Sequence, residues 1–95
     1  MIPILYDALE KDFSTNGIGL LTDAESCIVT EERNGIYELV LTYPAKGHLA
    51  DHITEDMIIK AKANDEDKPQ LFRIYKSGKA IGSNITWYAE HVRYE

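Results

Sequence analysis

The chain has little of the residues that carry most covalent and metal chemistry. Only one of its 95 residues is cysteine, and only three are proline. A single thiol, Cys27, excludes an internal disulfide and any zinc site built from several cysteines. No apolar run reaches the roughly 18 residues of a membrane-spanning helix. No basic start leads into an apolar stretch of roughly 7–15 residues, so no secretory signal is expected and synthesis in a cytoplasm is the default. Positive charge is scarce as well. Ten Lys and Arg stand against sixteen Asp and Glu, a formal net charge of -6. Such a chain lacks the positive field that non-specific nucleic-acid binding requires.

Catalytic patterns are equally thin. There is no Gly-x-Ser-x-Gly and no Cys-His arrangement beyond single residues. His48 and His52 stand four apart beside Asp51 and Glu55, a spacing that can hold zinc. Leu49 occupies the position where metalloprotease spacing needs glutamate, and no third ligand is near. The pair reads as surface histidines on a solvated turn; His91 is the only other histidine. Residues 64–67, Asn-Asp-Glu-Asp, lack the glycine and distal glutamate of a calcium loop. Gly78-Lys79 lacks the upstream glycine of a phosphate loop and reads as a hairpin turn. Asn84-Ile85-Thr86 matches a glycosylation acceptor, a chance match where no secretion signal is expected. Glu31 and Glu32 are adjacent, so a strand points them to opposite faces and they make no carboxylate pair. No catalytic residue, cofactor or metal ligand is assigned.

What is present is β pattern. At 44% hydrophobic and 27% charged, the composition is that of an ordinary globular protein, and residues 1–95 make a single domain. Residues 27–44, CIVTEERNGIYELVLTYP, place Asn34-Gly35 between two alternating runs, a strong hairpin signal. A two-residue loop would face Glu31 with Glu38, which like charge disfavours. A three-residue loop with Gly35 in the left-handed region pairs Val29 with Leu39, Cys27 with Leu41 and Thr30 with Glu38. It gives one apolar face (Cys27, Val29, Tyr37, Leu39, Leu41) and one mixed face (Ile28, Thr30, Glu38, Val40, Thr42). Cys27 on the apolar face reads as a buried, inert thiol.

Elsewhere, Pro3 suits the start of an edge strand over residues 2–6. Leu9 and Phe13 allow one helical turn, and residues 18–21 form a short strand or a core plug. Pro44 and Gly47 end the second hairpin strand. Leu49, Ala50 and Ile53 give residues 48–54 the best helical spacing in the chain. Strands are expected over 57–63, over 70–76 with Phe72 and Ile74 on one face, and over 81–92 with Ile85, Trp87 and Ala89 on one face. The predicted fold is mainly β: a small antiparallel barrel or sandwich of five to seven strands with one or two short helices, α+β being the alternative. Residues 92–95 end without turn residues or a cap, so the chain reads as cut from something longer, with an open strand edge after His91.

The order of the motifs carries more than any one of them. Glu31-Glu32-Arg33-Asn34-Gly35-Ile36-Tyr37-Glu38-Leu39 is followed by Tyr43-Pro44-Ala45-Lys46-Gly47 and Met57-Ile58-Ile59. Gln70-Leu71-Phe72-Arg73-Ile74-Tyr75 and Ala89-Glu90-His91 complete the set. Over nearly its whole length the chain resembles the N-terminal region of minor structural proteins of long-tailed phages and prophages of Gram-positive hosts. These are also called tail-associated lysins or prophage endopeptidase tail proteins. The resemblance implies a domain akin to the central hub of contractile-tail baseplates. It implies a virion tail-tip component that docks on a ring of distal tail protein, meets other tail-tip proteins, helps close the tail tube, and is a homotrimer in the full-length protein. The positions that carry the likeness, Asn34, Gly35, Tyr37, Leu39, Tyr43, Pro44, Gly47, Phe72, Arg73 and Tyr75, fall at turns and strand cores, where they would set shape. In the family the endopeptidase label belongs to regions farther along the chain. Nothing here matches a catalytic motif, so a non-enzymatic role is expected, with no specific nucleic acid and no membrane as partner. Two rival readings remain. A cell-wall hydrolase fragment would rest on His48 and His52. A carbohydrate- or receptor-binding module would rest on Trp87 or Tyr88 stacking against sugar.

Overall fold

A computed structural model describes residues 2–32, 35–62, 68–78 and 82–92. Seven strands form one antiparallel sheet: β1 (Ile4–Tyr6), β2 (Gly19–Leu20), β3 (Ser26–Glu31), β4 (Tyr37–Pro44), β5 (Ile58–Ala61), β6 (Gln70–Ser77) and β7 (Asn84–His91). Their order across the sheet is β2-β1-β5-β6-β7-β4-β3. Strands β2 and β3 sit at opposite edges yet follow one another in the chain. A flat sheet would separate them by six spacings, roughly 29 Å. Six residue steps from Leu20 to Ser26 span at most about 21 Å. The sheet therefore curls, and it does so into a half-barrel with one continuous concave core.

That core is the alternation of the strands, read in register. One row runs Leu5–Ile59–Phe72–His91, and a second runs Val29–Leu39–Ala89–Ile74. Leu5, Leu39, Leu41, Ile59, Phe72 and Ile74 are wholly buried. Cys27, Val29 and Trp87 pack on this core while half-buried. The hairpin takes the expected register: Cys27 faces Leu41, Val29 faces Leu39 and Thr30 faces Glu38. Gly35 has φ +99°, and Glu32 N–H donates to the Ile36 carbonyl at 2.7 Å to close the loop. Arg33 and Asn34 lie outside the described residues.

Several expectations are corrected. Among the described residues there is no α-helix, so the α+β alternative falls. The helical spacing of Leu49, Ala50 and Ile53 yields only a 3-10 turn, Ala50–His52. No side chain caps its N-terminus, and Ile53 is already extended, so the costly helical nucleus never propagates. Leu9 and Phe13 share no helical face: Leu9 is 86% exposed, while Phe13 packs beside Tyr6 and Ile58. β1 is no edge strand, because β2 covers its outer side. β7 is paired on both sides by β6 and β4, and the open edge expected after His91 falls on residues 93–95, outside the described residues.

A second, smaller cluster sits on the convex side of β1 and β5: Ile4, Tyr6 and Ile58, with Phe13, Leu20 and Leu71 against them. The 7–17 segment covers it. The Tyr6 hydroxyl bonds the Phe13 and Thr15 carbonyls, and Lys60 Nζ donates to the Phe13 carbonyl at 2.7 Å. Arg73 Nη1 donates to Ala8 O at 3.2 Å and Asp56 O at 2.7 Å, tying this segment to the turn before β5.

Candidate interaction surface

The 7–17 segment covers only half of the convex face. The other half, over β6, β7, β4 and β3, carries no further layer among the described residues. Its side chains follow from the pleat. One outward row is Ile28–Val40–Tyr88–Lys76, and the next is Thr30–Glu38–Glu90–Arg73. Ile28 is 58% exposed, and Ile36 and Tyr75 are 40% exposed.

A bulge builds the aromatic part of this face. The β6–β7 register steps from Ile74/Ala89 to Lys76/Tyr88, leaving Tyr75 unpaired on β6. Plain alternation would turn Lys76 inward with Ile74. Instead its ammonium lies 4.9 Å from the Tyr88 ring centre and 5.7 Å from that of Tyr75, in cation–π range. Across the sheet, Glu38 and Glu90 are directly opposed, an unfavourable like-charge pair. The Tyr75 hydroxyl donates to Glu38 Oε1 at 3.4 Å. Burial raises the Tyr75 phenol above its ordinary value, and the charge of Glu38 adds to the rise. A shallow depression of about 200 Å³ lies at the end of this face, lined by Gly35, Ile36, Tyr37, Glu38 and Glu90.

The motif residues divide between this face and the core. Tyr37, Leu39, Tyr43 and Phe72 are buried, with Tyr37 edge-on to Phe72 at 5.3 Å. Tyr43 closes the lower end: its hydroxyl accepts the Leu49 N–H at 3.2 Å. Gly47 passes under its ring, where an added Cβ would come within 2.7 Å of Cζ. Pro44 ends β4 opposite Asn84. Gly35 borders the depression, Arg73 ties the 7–17 segment to the sheet, and Tyr75 is exposed. Asn34 lies outside the described residues. The sequence reading missed the bulge at Tyr75 and the buried His91, whose Nε2 meets Gln70 Oε1 at 2.7 Å.

Other candidate sites come apart. His48 Nδ1 and its backbone N–H both bond Asp23 Oδ2, at 2.7 and 3.0 Å, which lowers the Asp23 carboxyl pKa. His48 thus fastens the β2–β3 link to the turn after β4. Among the described residues no three metal-ligating side chains cluster. Residues 64–67 and Lys79 lie outside the described residues. Trp87 packs against the core rather than standing out for a sugar, while Tyr88 lies outward beneath Lys76. No helix among the described residues is long and apolar enough to cross a membrane. In comparison with known proteins, the chain matches no family model, no curated relative and no solved structure.

Proposed function

We propose that this domain is a non-enzymatic structural part of a phage or prophage tail tip. In this reading it is the N-terminal hub domain of a longer polypeptide that docks on the distal tail protein ring and helps close the tube. The ordered motif set supports the reading, and one observation carries it furthest. Motif residues distant in sequence, Tyr37, Leu39, Tyr43 and Phe72, belong to one core, and Gly47 exists to admit Tyr43. Such residues set a shape rather than a chemistry, as a scaffold requires. The bare half of the convex face, with its exposed Ile28 and Tyr75, offers a surface for neighbours. A net charge of -6 suits a tube from which DNA leaves without sticking.

A trimer interface buries at least roughly 1,000 Å² around an apolar, aromatic centre. These 95 residues spend most of their apolar side chains on their own core. Alone they are expected to be monomeric or weakly self-associating, and the full-length polypeptide to be a stable trimer. Sedimentation equilibrium on both, with co-sedimentation of the distal tail protein, tests the reading. A full-length protein that stays monomeric and ignores the ring protein rejects it.

A further inference from the structure

Among the described residues, β3 pairs with β4 and with no other strand. Its outer edge can be read residue by residue. The bond from Glu32 N–H to the Ile36 carbonyl marks a hydrogen-bonded pair of the ladder. Bonded and non-bonded pairs alternate along an antiparallel ladder. Thr30 and Ile28 therefore bond β4, while Cys27 and Val29 turn N–H and C=O outward. Those groups, two residues apart, are what an added strand needs.

Two of the usual guards of an edge are missing. SCIVTE contains no lysine and no proline. Ile28, on the convex side of the strand, is 58% exposed. The one irregularity lies before the strand, where Glu25 N–H bonds the Thr42 carbonyl at 2.9 Å. The opposite edge, β2, is only two residues long and offers no comparable template.

Charge selects the occupant. Residues 25–33 hold three glutamates against one arginine, and the exposed Glu25 and Glu32 bracket the strand. A second copy would bring the same carboxylates to the seam, whereas a basic segment would neutralise them. We propose that β3 accepts an extended segment of a partner protein as an eighth strand of the sheet. That segment carries an apolar side chain at its centre, covering Ile28, and lysine or arginine toward both ends. The inference needs only the edge and its charge, and so stands apart from the hub reading.

The probe is a blocked peptide, Lys-Thr-Lys-Thr-Val-Thr-Lys-Thr-Lys, titrated into the isotopically labelled chain at low salt. Amide shifts and hydrogen exchange are read by NMR. Expected are protection of the Cys27 and Val29 amides and a Kd below about 1 mM. A peptide with glutamate in place of each lysine should bind at least about tenfold more weakly. Ile28→Lys, at an exposed position that leaves the fold intact, should weaken the basic peptide at least about tenfold. Equal binding of both peptides, shifts elsewhere on the sheet, or no binding at about 1 mM overturns the proposal. Concentration-dependent shifts of the same amides without peptide would give the edge to a second copy and overturn the assigned occupant.

Discussion

The His91 imidazole lies flat on the Tyr37 ring, with centroids 4.6 Å apart and planes 16° from parallel. Phe72 meets both rings edge-on. These three residues bring β4, β6 and β7 together at one end of the core. His91→Ala removes the stack and the partner of Gln70, and should cost about 2–3 kcal/mol. Urea denaturation measures it. A change under about 0.5 kcal/mol would mean that the end of β7 adds nothing to the core.

At the hairpin, Gly35 has φ +99°, and among the described residues beyond its chain neighbours no heavy atom lies within 4 Å of an added Cβ. Gly35→Val should cost about 1–2 kcal/mol or more, because a β-branched residue fits a positive φ poorly. Leu41→Asp, which buries a charge in the core, should be far worse. Thermal melts of the two variants check the ordering, and an unchanged melting temperature for Leu41→Asp would place the core on the wrong face.

Tyr43→Phe leaves the Leu49 N–H without its acceptor in a buried setting and should cost about 1–2 kcal/mol. Gly47→Ala pushes a methyl group into the Tyr43 ring, so its cost should fall sharply in a Tyr43→Ala background. A double-mutant cycle by chemical denaturation reads the coupling.

Asp23 is an exposed carboxylate whose pKa is lowered by its hydrogen bonds to His48. A depressed folded pKa gives stability that is present above the unfolded value and lost as pH falls through the folded one. Wild type should therefore be more stable than Asp23→Asn near neutral pH. The difference should shrink below about pH 4. Acid titrations of both proteins show whether it does; a difference independent of pH would mean that the carboxylate charge plays no part.

Burial pushes the Cys27 thiol up to about 11. At pH 8 only about one thiol in a thousand is then thiolate. Alkylation by iodoacetamide at pH 8 should be at least about tenfold slower in the folded chain than in urea. Equal rates would show an accessible, unshifted thiol.

The hairpin was legible in the sequence because every force acting on it is local. Gly35 supplies the positive φ, facing glutamates reject the two-residue loop, and alternation assigns the faces. The strands around Phe72, Ile74 and Trp87 were legible for the same reason of period two. The helix expected near Leu49 was not formed, because three apolar residues at helical spacing do not offset nucleation without a cap. What tertiary structure decided is which strands become neighbours. Nothing local tells that β7 enters between β6 and β4, leaving β3 at one edge of the sheet. That arrangement follows from closing a seven-strand sheet with the short link from Leu20 to Ser26, which forces the curl. The bulge that turns Lys76 outward to Tyr88 has the same origin: a sheet this curved must take up twist somewhere, and only the packed neighbours determine where.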